Sequence, residues 1–166
     1  MLAIIPSIVS AYDEESMSGT PKYIDNSVPW QEQDGELPPY PEKVNLLEVD
    51  AGTDGLQYTV YLDKHSLAIG DDRVVRYTVV LESSPGVWNV SYEGLHCGER
   101  KYRRYAYGFD GAWQPLPDSQ WSPVRGNGAN AYRRVFYERY ICDPTDAPGS
   151  AAEIVNKFRD NWHEQM

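Results

Sequence analysis

Glu93 and His96 are the two residues whose types and spacing come closest to an acid–base pair. A carboxylate and an imidazole can pass a proton between them, so the pair would suit a hydrolase. Each also has a simpler interpretation, because Glu93 can pair with Arg76 across a sheet and His96 suits the surface or a turn. The sequence has no nucleophile elbow, phosphate-binding loop or His-Glu-x-x-His motif. We therefore predict no catalytic residue, and a periplasmic hydrolase that uses Glu93 and His96 is the alternative.

Arginine, tyrosine and tryptophan gather between Cys97 and Cys142, and these side chains dominate recognition surfaces. Residues 97–142 contain 8 basic and 4 acidic side chains, whereas residues 1–96 contain 5 and 16, so this segment is cationic within a chain of net charge -10. The alternative is that the aromatic rings pack over the sheet while the arginines pair with the acidic first half. The candidate binding residues are Arg76, Glu93, Arg103, Arg104, Trp113 and Trp121.

The overall charge and the cysteines narrow the classes of protein. Net acidity argues against nucleic-acid binding, because affinity for phosphates requires many cationic side chains. The two cysteines form no Cys-x-x-Cys motif or Cys/His cluster, so we expect no metal site and no cofactor. In an oxidising compartment Cys97 and Cys142 would form one disulfide, which closes a loop of 46 residues and stabilises the fold by roughly 4 kcal/mol.

The composition divides the chain into three parts. Residues 1–11 are apolar and end in Val9-Ser10-Ala11, which fits a signal-peptidase site and predicts the remnant of a signal peptide. They are too few to cross a bilayer, so we predict no transmembrane segment. Residues 12–36 are acidic and poor in aliphatic side chains, which predicts an extended arm. Residues 37–166 are predicted to form a single domain.

Alternating side chains predict strands over residues 56–62, 75–81 and 88–92. Interleaved tyrosine and arginine predict a further strand over residues 100–107. The turn at Ser83–Gly86 joins the second and third strands as a hairpin. A turn of two or four residues would place Arg76 opposite Glu93, whereas a three-residue turn would break that register. The pattern predicts an antiparallel, meander-like sheet of about five strands.

Two helices are predicted after the sheet. The apolar positions of the first follow helical spacing, and they are Tyr132, Val135, Phe136 and Tyr140. The second begins with a capping box at Ser150 and Glu153, and its apolar stripe comprises Ala151, Ile154, Val155, Phe158 and Trp162. The predicted fold class is therefore α+β, with an antiparallel sheet, two C-terminal helices and one disulfide. A structural accessory subunit that docks through the last helix is a further alternative.

A combination of motifs extends over residues 30–142. Its members are Val74-Val75-Arg76-Tyr77-Thr78-Val79-Val80, Asn89-Val90-Ser91-Tyr92-Glu93-Gly94, Cys97, Tyr105-Ala106 before Gly108, Trp113 with Trp121, and Cys142. This combination resembles the cryptic-neisserial-protein-like family of Gram-negative envelope proteins. The resemblance implies export to the periplasm or attachment to the envelope, and it implies no activity. We therefore expect an exported envelope domain that binds without catalysis, its partner being an envelope protein, a glycan or an anionic ligand.

Overall fold

A computed structural model describes residues 29–51, 58–84, 86–126, 128–143 and 146–163. The chain forms two compact units, Met1–Trp30 and Gln31–Met166. The first unit is described only at residues 29 and 30, so the following sections concern the second. The predicted signal-peptide remnant at residues 1–11 and most of the predicted arm at residues 12–36 lie outside the described residues. Both stay predictions.

The second unit contains an antiparallel sheet whose first six strands follow one another in space as they do along the chain. These strands are β1 (Leu46–Val49), β2 (Tyr58–Ile69), β3 (Val74–Ser83), β4 (Val87–His96), β5 (Lys101–Phe109) and β6 (Ala112–Pro115). A seventh, β7 (Ser122–Pro123), pairs with the start of β5. The predicted meander is confirmed. The sheet has more strands than the predicted number of about five. The strands β1, β6 and β7 have only four, four and two residues, so they are too short to show a clear alternation in the sequence.

The predicted register of the β3–β4 hairpin is wrong by one residue. Ser83 pairs with Val87, so the connection has three residues and Arg76 lies opposite Gly94. Gly86 has a φ of 90°, a backbone conformation that suits glycine at the end of such a turn. Because adjacent residues of a strand point to opposite faces, the shift puts Arg76 and Glu93 on different sides of the sheet. The predicted ion pair between them therefore does not form.

Both predicted helices are present after β7. A 3-10 turn (Gly128–Asn130) leads into α1 (Ala131–Val135), which continues as a π-helical turn (Phe136–Ile141). The second helix is α2 (Ala151–His163). Its start is capped as predicted, because the Ser150 hydroxyl accepts a hydrogen bond from the backbone N–H of Glu153 at 3.3 Å. The Glu153 carboxylate in turn accepts from the backbone N–H of Gly149 at 3.0 Å.

The helices pack on one side of the sheet, which we call the helix face. Its core contains Leu62, Tyr77, Val79, Leu95, Phe136, Ile141, Ile154 and Phe158. The rings of Tyr140 and Phe158 stack with their centroids 4.2 Å apart and so join the π-helical turn to α2. The predicted disulfide is confirmed: Cys97, just after β4, is bonded to Cys142, just after the π-helical turn. This bond fixes the helices over the sheet.

The opposite side of the sheet is covered by residues 31–42, which we call the leading segment, and we call this side the segment face. The leading segment has no regular secondary structure and precedes a 3-10 turn (Lys43–Asn45). Tyr40 packs against Trp113 with ring centroids 5.3 Å apart. It also lies so close to Gly108 that an added Cβ there would be 2.5 Å from the tyrosine hydroxyl. Glycine at this position therefore allows the segment to approach the sheet.

Candidate binding sites

The sheet separates the six candidate binding residues into two groups. Glu93 and Arg104 lie on the helix face, where Arg104 Nε is 3.4 Å from a carboxylate oxygen of Glu93. The segment face carries Arg76, Arg103, Trp113 and Trp121. The six therefore do not converge on one surface. Arg104 lies beside the Glu93 carboxylate, Arg103 and Trp121 contact the Glu32 carboxylate, and Trp113 contacts Pro38 instead.

Glu93 is fully buried on the helix face and is surrounded by donors. Arg133, whose side chain is 1% exposed, donates to both of its carboxylate oxygens, with Nε at 2.7 Å from Oε2. The hydroxyls of Tyr132 and Ser91 each donate to Oε1 at 2.9 Å. A buried carboxylate is tolerated only when its charge is paired and its lone pairs are occupied, and both conditions hold here. Glu93 therefore joins β4 to α1.

The Glu93 cluster also shifts the proton affinities of its members. Desolvation alone would raise the pKa of Glu93, but the charge of Arg133 and its hydrogen bonds lower it below the ordinary value of 4.5. Burial raises the pKa of Tyr77 and Tyr132, and the negative charge of Glu93 raises both further. Glu93 is thus ionised and the tyrosines are neutral donors at neutral pH. Such a carboxylate accepts hydrogen bonds but does not supply a proton.

A cavity of about 270 Å³, which we call the arginine cavity, opens beside this cluster at the junction of β5, β7 and α1. It is lined by Tyr102, Ser122, Pro123, Arg125, Asn130 and Arg133. The guanidinium carbon of Arg133 lies 4.1 Å from the centre of the Tyr102 ring, and its Nη1 donates to the Asn130 side-chain oxygen. Three of the five N–H groups of Arg133 thus have partners among the described residues, which leaves donors for an acceptor in the cavity.

Glu32 is the centre of the polar cluster on the segment face. One of its carboxylate oxygens accepts from Arg103 Nη1 at 2.7 Å and from Trp121 Nε1 at 2.9 Å. The other accepts from the Tyr105 hydroxyl at 2.7 Å, and Arg76 Nη2 lies 4.0 Å from it. Burial tends to raise the pKa of Glu32, but the three donors lower it below 4.5. The leading segment is therefore attached to the sheet through an ionised carboxylate.

Arg76 is buried next to this cluster and is paired with Asp72. Its Nη2 donates to Asp72 Oδ2 at 2.7 Å and to the backbone carbonyl of Gln33 at 2.8 Å. Although burial opposes ionisation of Asp72, the hydrogen bonds from Arg76 and from the backbone N–H of Gln33 lower its pKa. Asp72 belongs to the turn between β2 and β3 and is the counter-ion of Arg76.

The predicted acid–base pair does not assemble. Glu93 contacts α1 on the helix face, whereas an added Cβ at Gly94, next to it in β4, would meet Tyr105 on the segment face. His96 shares the side of Gly94 because the two residues are separated by a single position in β4. Its Nδ1 accepts a hydrogen bond from the backbone N–H of Glu99 at 3.1 Å. Glu93 and His96 therefore point away from each other.

Sequence reasoning missed the roles of Arg133 and Glu32. Arg133 was counted with the cationic surface, yet it lies three, four and seven positions before Phe136, Tyr137 and Tyr140, which are buried. That spacing places an arginine on the buried stripe of the helix, and this signal predicts a buried counter-ion. Glu32 carries no comparable signal, because it lies in an acidic stretch without periodicity.

A metal-ligating cluster and a membrane-spanning helix are both absent from the described residues. There, no group of three or more His, Cys, Asp or Glu side chains could hold a metal ion. Within the same part of the chain, no helix has both the length and the apolar character needed to cross a bilayer.

The fold and its two clusters define a class of protein: a disulfide-bridged α+β domain with a meander sheet and an ionised, charge-paired carboxylate on each face. The chain belongs to the CNP1-like family, whose family model matches residues 25–159. It is similar to Cryptic neisserial protein 1 of Neisseria gonorrhoeae, with 27% identity over 148 residues that cover 77% of this chain and 72% of the relative. No solved structure matches the chain. The family resemblance seen in the sequence is confirmed.

Proposed function

We propose that this protein is an exported, non-catalytic domain of the cell envelope that binds a small anionic ligand in the arginine cavity. Export is supported by the Cys97–Cys142 disulfide, since such bonds persist in oxidising compartments. The apolar residues 1–11 agree with this location. Binding is supported by the charge and the shape of the cavity.

The charge of the arginine cavity is the observation that carries the proposal. The two guanidiniums of Arg133 and Arg104 share one carboxylate, that of Glu93. Arg125 adds a third positive charge, and no acidic residue is among the six that line the cavity. Arg104 does not line the cavity, so the lining carries two cations, Arg125 and Arg133. The Glu93 carboxylate offsets only Arg133, so the local field favours an anion.

The shape of the cavity supports a small ligand. Its volume of about 270 Å³ is close to the lower end of the range for small-molecule sites. Ser122, Asn130 and Arg125 line the same space, and their side chains carry a hydroxyl, an amide and a guanidinium. A phosphate group or the carboxylate of a sugar acid would fit this combination of charge and donors.

The apolar stripe of α2 gives less support to the alternative of an accessory subunit. Ile154 and Phe158 are buried against the core of the same domain. These two residues of the stripe are therefore already covered, and a docked partner would have to use other residues of this helix.

The binding proposal can be tested by calorimetric titration of the full chain with inorganic phosphate and with glucuronate. Arg125→Ala removes an exposed guanidinium from the cavity, so binding should weaken about tenfold, which corresponds to one charge-assisted hydrogen bond. Binding should also weaken with added salt. Arg159→Ala removes an exposed arginine from α2 and should change nothing. The ligand class would be refuted if neither phosphate nor glucuronate bound at millimolar concentration. It would also be refuted if Arg125→Ala and the unsubstituted chain bound them equally.

The export proposal has a separate test. Whole cells are fractionated in the presence of an alkylating reagent, and the protein from the envelope fraction is analysed by intact-mass spectrometry. We expect Cys97 and Cys142 to be unalkylated because they are bonded to each other. Recovery of the protein only from the cytosol, with both thiols alkylated, would contradict the proposed location.

A further inference from the structure

The segment face contacts the leading segment as a receptor contacts an extended peptide. At Gln33 the sheet binds both polar groups of the main chain. The backbone N–H donates to Asp72 Oδ2 at 2.9 Å, and the backbone carbonyl accepts from Arg76 Nη2 at 2.8 Å. The side-chain oxygen of Gln33 accepts from the backbone N–H of Asp71 at 3.2 Å. Paired main-chain contacts of this kind hold an extended chain in one direction and one register.

Glu32, the residue before Gln33, is bound through its side chain. The carboxylate of Glu32 accepts from Arg103, Tyr105 and Trp121, three donors that come from β5 and from the residue just before β7. The guanidinium carbons of Arg76 and Arg103 each lie 5.5 Å from the centre of the Tyr105 ring. This packing holds the ring and its two cationic neighbours around one carboxylate position.

A third contact lies at the other end of the segment. The indole Nε1 of Trp113 donates to the backbone carbonyl of Pro38 at 2.7 Å. The Tyr40 ring then packs on Trp113, and Trp113 in turn contacts Tyr92 in β4 with ring centroids 6.2 Å apart. Proline-rich segments are held in this way on aromatic side chains, because their extended conformation costs little entropy to fix.

We infer that the segment face is a peptide-binding groove, which this chain fills with its own residues 32–40. The groove is selective for an extended peptide that carries Glu-Gln at one end and Pro-Pro-Tyr at the other. The partner it fits is a protein with an acidic, proline-containing segment of this pattern, which would displace the leading segment. The site lies on the side of the sheet opposite the arginine cavity, so it is independent of the proposed anion site.

Two features favour exchange of the bound segment. The leading segment makes no β-strand with the sheet, so it can leave without breaking the meander. A cavity of about 370 Å³ also remains beside it, between residues 32–37 and the stretch Pro115–Pro117 with Arg103 and Tyr105. The groove is therefore wider than the segment it holds, and a bulkier peptide has room there.

The inference is tested with a fluorescent synthetic peptide of residues 31–41 and the full chain. The leading segment competes at a high effective concentration in the unsubstituted chain, of the order of millimolar. The substitutions Glu32→Gln and Tyr40→Ala, made together, weaken that competitor and leave the groove residues intact. We expect fluorescence anisotropy to show at least about tenfold tighter binding of the peptide to this variant than to the unsubstituted chain.

Matched controls distinguish binding in the groove from nonspecific binding of the peptide. A peptide with Gln in place of Glu32 should bind about tenfold more weakly, because it loses the charged acceptor for three donors. A peptide with Gln in place of Glu36, whose side chain is exposed, should bind like the original. Adding Trp121→Phe to the variant chain removes one donor and should weaken binding, whereas adding Arg125→Ala, on the other face, should have no effect.

The inference is overturned if the variant keeps its circular dichroism spectrum and thermal transition but does not bind the peptide. It is also overturned if the original peptide and the peptide with Gln in place of Glu32 bind with equal affinity. Should the double variant fail to fold, Glu32→Gln alone replaces it, since this change keeps the shape of the side chain. Because Arg125→Ala affects only the anion titration, loss of one binding activity leaves the other measurable.

Discussion

Replacing Arg133 tests how the buried carboxylate on the helix face is stabilised. Arg133→Met keeps much of the side-chain volume but leaves the fully buried Glu93 without its bidentate partner. Removing one member of a buried pair costs about 3–5 kcal/mol, a large part of the 5–15 kcal/mol typical of a domain. Arg104 lies 3.4 Å from the same carboxylate but is 42% exposed, so its own replacement by Met should cost less than about 1 kcal/mol.

A double-mutant cycle gives the coupling directly. Glu93→Gln combined with Arg133→Met removes both charges, so its cost should be about 2–3 kcal/mol less than the sum of the two single changes. Urea unfolding followed by tryptophan fluorescence, with the disulfide intact, measures each free energy. The control cycle combines Glu93→Gln with Arg76→Ala across the sheet and should be additive to within about 0.5 kcal/mol. Additivity in the first cycle, or clear coupling in the second, would refute the assignment of Arg133 as the partner of Glu93.

Three further outcomes follow from the buried groups and the disulfide. Cys97→Ser with Cys142→Ser should lower the free energy of unfolding by roughly 4 kcal/mol in urea, and an equal stability would show that the closed loop does not constrain the unfolded chain. Calorimetry from pH 7 to pH 3 should show a falling Tm. The folded state lowers the pKa of Glu93 and Glu32, so these ionised carboxylates stabilise the fold at a pH above their ordinary pKa. That contribution is lost as the pH falls through their folded-state pKa. Glu32→Gln should make that fall shallower, and an identical slope would count against an ionised Glu32. Burial raises the pKa of Asp63, so Asp63→Asn should increase the free energy of unfolding at pH 7 by removing a disfavoured charge. A lower free energy of unfolding in urea would show that the charge is compensated.

The strands and helices that were predicted are those with a clear period. The alternation in β3 and β4 extends over residues 75–81 and 88–92, and residues 131–141 keep apolar positions at helical spacing. The hairpin register was wrong because it depends on one residue of the turn, and both turn lengths are compatible with the same flanking alternation. Hydrophobic pattern thus predicts where these strands lie in the chain, but the turn conformation decides which residues lie opposite each other.

The candidate site was less predictable, because its key contacts join residues far apart in the chain. Glu93 and Arg133 are separated by 40 positions and Glu32 and Arg103 by 71. Arginine, tyrosine and tryptophan side chains do contact the two carboxylates, but composition does not specify which carboxylate each cation meets. Arg103 and Arg104 illustrate this, since neighbouring residues of one strand pair with Glu32 and Glu93 on opposite faces.

The Cys97–Cys142 bond encloses β5, β6, β7, α1 and the π-helical turn. Cleavage by a protease at one peptide bond anywhere inside this enclosed stretch would leave both fragments covalently joined. A nicked molecule would keep its full mass on a non-reducing gel and would separate only after reduction. The exposed residues around Gly111 and Gly126 could therefore be cut without release of the arginines that both faces use.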